Sequence, residues 1–174
     1  DELRARFLEG MSRAATFVAV ATTDGPGGRA GVTVSSLTSV SADGDQPSLL
    51  LCIHHQSPAA AAILANRAFC ANLLAEDQQA TANLFAGRGG GDRADRFHQV
   101  TWATGPLGQP ILTGATAIFE CRLATALLWE THHILVGRVL SVRLSDRPEA
   151  LLYGQRAFAA HFDRDQTGRD QTKD

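Results

Sequence analysis

Two hydrophobic periods divide the chain. Leu3, Phe7, Leu8 and Met11 recur at helical spacing among Arg4, Arg6, Glu9 and Arg13, which predicts a short amphipathic helix over residues 3–13. The pattern then turns β-prone. Residues 16–22 and 30–36 flank the turn-forming run Asp24-Gly25-Pro26-Gly27-Gly28 and read as a hairpin, continued as strand through residues 37–41. Asp43-Gly44-Asp45-Gln46-Pro47 turns the chain again, into an apolar strand over residues 48–54. Ser57, Pro58 and the Ala-rich run behind them supply an N-cap, a proline at the first helical position and strong helix formers, so a helix is expected that stops near Asn66. A strand over 67–73 follows, then a helix from about Glu76 to Ala86, stopped by Gly87, and a Gly- and Arg-rich connection over 87–97. Beyond Pro110, Phe119, Cys121 and Leu123 alternate with Glu120 and Arg122, the mark of a half-buried strand. Residues 132–143 read as another long strand, and residues 151–162 as a helix. The polar residues 163–174 read as a disordered tail behind a single domain over 1–162. Many strands with few inserted helices, and no βαβ alternation, predict a mainly β fold centred on a barrel.

Composition narrows the partners. The 174 residues are 44% apolar and 20% charged, enough to bury a core. Sixteen basic against eighteen acidic residues leave a formal charge of −2, with no electrostatic footprint for nucleic acid or an anionic membrane. Lys173 is the only lysine, so any anion held by a side-chain cation is held by an arginine fork. Cys52, Cys70 and Cys121 are widely spaced, form no CxxC and lie in apolar stretches, which predicts buried, reduced thiols and a cytoplasmic setting. No apolar run approaches the ~18 residues of a membrane helix, and no secretory signal pattern is visible.

Several motifs fail on inspection. Gly87-Arg88-Gly89-Gly90-Gly91-Asp92 is not a P-loop, because no Lys-Ser or Lys-Thr follows, and Asp92 occupies the last position of a would-be GxGxxG. Neither GxSxG nor HExxH occurs. The pairs His54-His55 and His132-His133 lie in predicted strands, where neighbours point to opposite faces, and no spacing supplies further ligands, so no metal is expected. Two features keep chemical content. The strand-to-helix junction ending in Ser57-Pro58 places a hydroxyl beside the free N–H groups and positive dipole end of a helix; this either holds a phosphate or only caps the helix. In Gly31-Val32-Thr33-Val34-Ser35-Ser36-Leu37-Thr38-Ser39-Val40-Ser41, hydroxyls recur on nearly every second residue. Such a face suits the edge of a flat heteroaromatic ring, or equally a solvated edge strand.

Taken in order, Thr22-Thr23-Asp24-Gly25, the hydroxyl-rich run 31–41, the apolar strand ending in Ser57, Phe69-Cys70-Ala71-Asn72-Leu73-Leu74, Phe85-Ala86-Gly87-Arg88 with Asp95-Arg96-Phe97, Phe119-Glu120-Cys121-Arg122-Leu123 and His132-His133-Ile134-Leu135-Val136-Gly137-Arg138-Val139 resemble the flavin reductase-like family. These are short NAD(P)H:flavin oxidoreductases that serve two-component monooxygenases. The resemblance spans about residues 7–160 and implies an FMN-binding split β-barrel that forms a homodimer, with FMN or FAD near the subunit interface. It implies that Thr33, Ser35 and Ser36 lie along the isoalloxazine ring, with Thr38 nearby and the backbone of Cys52 and Ile53 at the other edge. Ser57 would take the flavin phosphate, Arg88 a second phosphate contact, and Arg96 and Phe97 would flank the flavin or nicotinamide pocket. The family's Gly-Asp-His step reads Glu130-Thr131-His132 here, which retains His132 as the residue near the nicotinamide; extra residues also separate Arg88 from Asp95. The implied activity is hydride transfer from NADH or NADPH to flavin, for delivery to a partner monooxygenase. A flavin carrier or redox sensor without turnover, and a split-barrel oxidase, are the other readings of the same barrel.

Overall fold

The computed structural model describes residues 1–88, 94–146 and 149–160. Its main sheet has seven strands. In chain order these are β2 (Ala19–Thr23), β3 (Ala30–Val34), β4 (Thr38–Ser41), β5 (Ser48–His54), β6 (Ala68–Leu73), β9 (Ala117–Trp129) and β10 (His132–Leu144). They are ordered β3-β2-β6-β9-β10-β5-β4, and every pairing is antiparallel. The ladder is open: β3 and β4, consecutive in sequence, are its two edges. The short strands are β1 (Thr16–Phe17), the hairpin β7 (Trp102–Thr104) and β8 (Pro110–Leu112), and the hairpin β11 (Leu151–Gly154) and β12 (Ala157–Ala160). Helices α1 (Glu2–Ser12), α2 (Pro58–Asn66) and α3 (Gln79–Phe85), with a 3-10 helix over Ala94–Gln99, complete the described elements. The mainly β expectation therefore holds, as a split barrel whose sheet is not hydrogen-bonded into a closed cylinder.

Strand alternation builds a core on each face of the sheet. Ala19 and Ala21 of β2, Phe69 and Ala71 of β6, Cys121 and Leu123 of β9 and Leu51 and Ile53 of β5 turn inward, where Ala60 and Ile63 of α2 plug the end. The alternate residues Val20 and Cys70, with Ile118, join Phe85, Leu112 and Leu151 in a second cluster under α3 and the outer hairpins. Because both faces are covered, all five residues of β2 are buried. Asn72 ties the second layer down: its Nδ2 donates to the Val20 carbonyl (3.0 Å) and Thr22 Oγ1 (3.1 Å), and its Oδ1 accepts from Leu112 N (2.8 Å). Gly137 sits at a register shift in β10, where a Cβ would stand 2.5 Å from the Phe69 ring, so only glycine lets that strand close over the core.

Four expectations need correcting. Residues 151–160 are a hairpin and not a helix, because β11 pairs with β1 and β12 and so finds its partners outside any local helical pattern. Residues 16–17 form β1 and leave the first hairpin, whose arms are β2 and β3. The chain breaks at 35–37 between β3 and β4 instead of continuing as one strand. Helix α3 begins at Gln79, since Glu76 N donates to the Glu149 carbonyl and Leu151 N to the Leu74 carbonyl, bridging Ala75 to Ala150 ahead of the helix. The predicted tail, residues 163–174, lies outside the described residues.

Candidate functional site

Beyond β4, strand β5 runs on with one edge unpaired, its other edge held by β10. The ladder between them ends at Thr38↔Leu50, so Cys52 to His54 face the free edge of β3 across a gap. This gap is a cavity of about 320 Å³ lined by Thr33, Ser35, Ser36, Cys52, Ile53 and His132, among others. A second, larger cavity of about 700 Å³ adjoins it, walled by Arg29, Gly31, Phe85, Arg96, Phe97 and His98. Val32, His54 and Ser57 line both and form the ridge between them.

The ridge is built by the turn from β5 into α2. Ser57 N donates to the His54 carbonyl (2.9 Å), and Ala60 N to the Ser57 carbonyl (2.9 Å). Ser57 occupies the N-cap position, yet its side chain makes no capping bond. Its hydroxyl is therefore free for a ligand beside the first-turn N–H of Ala59, a group that no residue of the same helix can accept from. Opposite it, Arg96 is half-buried and its Nε, wholly buried, has no partner among the described residues. Arg29 pairs with Asp24 at 2.8 Å and lies over the Phe97 ring, 5.4 Å from its centroid. Phe97 in turn contacts Phe85 and Trp102, and the Trp102 indole N–H donates to the Phe97 carbonyl. The larger cavity is thus an aromatic-walled cleft also lined by Arg29 and Arg96, the latter with a guanidinium nitrogen unpartnered among the described residues, chemistry that fits a phosphate joined to a flat ring system.

The predicted residues are not all gathered. Thr33 turns its hydroxyl toward α3 and donates to the Ala82 carbonyl at 2.7 Å. Ser36 Oγ accepts from Cys52 N (2.8 Å) and donates to the Cys52 carbonyl (3.2 Å), closing part of the gap with a hydroxyl bridge. Ser35 stands exposed at the cavity mouth, and Ile53 lines the cavity from the other side. Thr38 lies elsewhere, in an apolar groove of about 330 Å³ with Phe17, Leu37, Phe119 and Val142. Arg88 is exposed and lines neither cavity. His132 lies across the ladder from His54 and Trp129, with its Nδ1 2.9 Å from Thr131 Oγ1. Sequence reasoning missed His54, which lines both cavities and whose ring meets that of His132 edge-to-face at 5.1 Å. The sequence marked it only as half of the His54-His55 pair, with no role attached. Among the described residues no cluster of three or more His, Cys, Asp or Glu could hold a metal ion.

An open split barrel with a phosphate-receptive helix end beside an aromatic cleft is the architecture of a flavin-binding barrel. The model of the flavin reductase like domain matches residues 11–161, and the chain belongs to that family. It is 38% identical over 156 residues to an FMN reductase (NADH) RutF of Stutzerimonas stutzeri, covering 90% of this chain and 87% of that one. It is 35% identical over 158 residues to the 4-hydroxyphenylacetate 3-monooxygenase reductase component of Salmonella typhimurium, covering 91% and 92%. Among solved structures, BorF, the flavin reductase component of a bacterial two-component tryptophan halogenase, superimposes with a TM-score of 0.81 at 36% identity, covering 92% of this chain and 99% of that one.

Proposed function

We propose that this chain is an NAD(P)H-dependent flavin reductase that supplies reduced flavin to a partner monooxygenase, and that it works as a homodimer. The observation that carries the reading is the pair of adjoining cavities on the Ser57 ridge, one ending in His132 and the other in Arg96. Ser57 and the α2 end hold the flavin phosphate, with Arg96 as its cation. Ser35 and the Ile53 backbone hold the ring edge, with Ser36 fixing the Cys52 strand edge beside it. Phe97 and His132 flank the space for the nicotinamide. A flavin bound there supplies the acceptor for the nicotinamide hydride, chemistry that belongs to the two cofactors. The chain's own task is positioning, by stacking surfaces and a phosphate anchor, which requires no acid–base dyad.

The dimer reading rests on apolar surface continuous with the site. Leu127 and Trp129 are 56% and 67% exposed, and their cross-strand partners are Ile134 and His132. With the groove around Phe17 and Thr38 they offer a surface for a second copy to cover.

Turnover of NADH and NADPH crossed with riboflavin, FMN and FAD, followed by nicotinamide absorbance, tests the function. Steady oxidation of NADH with FMN is expected; binding without turnover would instead support a carrier. His132→Ala should impair NADH use more than FMN binding, and equal loss of both, or of neither, removes the assigned role. Sedimentation should give a dimer that Trp129→Asp weakens.

A further inference from the structure

His54 holds a hydrogen bond that the proposed phosphate site has reason to claim. Its Nδ1 accepts from Gln56 N at 3.2 Å, inside the turn that leads into α2. A backbone N–H can only donate, so this nitrogen must carry its lone pair. The ring is then neutral, with its proton on Nε2. Protonation of Nδ1 ends the bond, frees the Gln56 N–H and places a cation on the ridge between the two cavities. The freed N–H and the new cation both favour an anion at the turn, and both follow from one proton.

The surroundings set the direction of this linkage. Across the larger cavity stand Arg96, His98 and Arg29, the last neutralised by Asp24. Beside His54 lie the rings of His55 (4.9 Å) and His132 (5.1 Å). With no anion at the turn, the neutral ring keeps the Gln56 bond. A bound phosphate reverses the balance. We propose that His54 is a specificity-determining residue that couples recognition of the flavin phosphate to proton uptake, so that phosphorylated flavin is preferred over riboflavin more strongly as the pH falls. This rests on the phosphate reading of the Ser57 junction.

The test is binding and does not depend on turnover. Flavin fluorescence quenching gives Kd for FMN and for riboflavin between about pH 8.5 and about pH 5.5, a range that brackets the ordinary imidazole transition. The wild-type ratio of Kd for riboflavin to Kd for FMN is expected to rise on the order of tenfold across that range, the combined worth of one modest hydrogen bond and one exposed charge pair. In His54→Phe, which neither accepts nor titrates, the rise should vanish, and His54→Gln should repeat the result if the first variant folds poorly. The FMN phosphate loses charge over the same range, an effect that the variants share, so the comparison is between wild type and variants at each pH. Calorimetry of FMN binding near neutral pH in two buffers of different ionisation enthalpy should show greater proton uptake in wild type than in either variant. Identical pH dependence in wild type and variants overturns the role of His54 while leaving the phosphate site standing. A ratio near one at every pH in every protein overturns both.

Discussion

Replacing Gly31 by alanine should cost stability and loosen the flavin site together. Gly31 lies in β3 where the strand passes the aromatic wall of the larger cavity. A Cβ built there falls 2.8 Å and 2.9 Å from two Phe85 ring carbons and 3.2 Å from Phe97 Cζ. Phe85 is 2% exposed and cannot retreat into solvent. It makes near-perpendicular ring contacts with Phe97 (5.3 Å, 79°) and Trp102 (5.6 Å, 84°), so displacing it disturbs both. Overpacking of this kind costs roughly 1–3 kcal/mol. Removing a strand glycine returns about 0.5–1 kcal/mol, which leaves a net loss of about 1–2 kcal/mol. Urea unfolding at fixed pH reads that loss directly. The same displacement moves Phe97, so FMN affinity should fall about fivefold, the equivalent of roughly 1 kcal/mol of lost stacking contact. Phe85→Leu removes the ring that the new methyl meets, and the double variant should be more stable than the sum of the two single changes by about 1 kcal/mol or more. A Gly31→Ala protein at least as stable as wild type, or changes that simply add, would refute the claim that the aromatic wall is rigid.

Three further outcomes are expected. Glu130 opens the two-residue turn between β9 and β10 with φ of 50°, a left-handed conformation that costs a non-glycine residue about 1–2 kcal/mol, so Glu130→Gly should raise the urea midpoint; a lowered midpoint would argue against strain there. Burial, reinforced by the neighbouring Glu120 carboxylate, pushes the Cys70 thiol well above its ordinary range and the Cys121 thiol from 9.0 to about 12. The protonated thiols therefore stabilise the fold fully below about pH 9, and that stabilisation is lost as the pH rises toward the folded values, so the urea midpoint should drop between about pH 8 and about pH 10.5. In native protein at pH about 8, a disulfide reagent should label only Cys52, which is half-buried, and all three thiols once urea is added.

What the sequence made legible follows from how local each signal is. Helix α2 could be read because Ser57, Pro58 and the alanines behind them carry their own start signal, and β9 because Phe119, Cys121 and Leu123 alternate with polar residues. The β11–β12 hairpin could not. Its turn holds Gln155 and Arg156 at φ of 49° and 61°, a conformation ordinarily announced by Asn-Gly or Asp-Gly, and tertiary pairing with β1 overrides the missing signal. The site divides the same way. Ser57, Arg96, Phe97 and His132 were marked by motif and all line the cavities. Hydroxyl spacing alone could not show that Thr33 spends its hydrogen bond on α3, or that Ser36 spends its own on Cys52. Nor could any single stretch reveal His54, whose importance comes from its register against His132 on a strand far along the chain.

The open seam between β3 and the end of β5 has a consequence for association as well as for binding. An unpaired strand edge is a template that another chain can extend, and most sheets must blunt it. Here β3 faces the end of β5 across the gap, and Ser36, in the three-residue link between β3 and β4, bonds through its hydroxyl to Cys52 on the β5 side. The gap holds a cavity of about 320 Å³, a volume that suits the edge of a small planar molecule. A ligand seated in this seam would therefore occupy unpaired backbone that could otherwise template another chain.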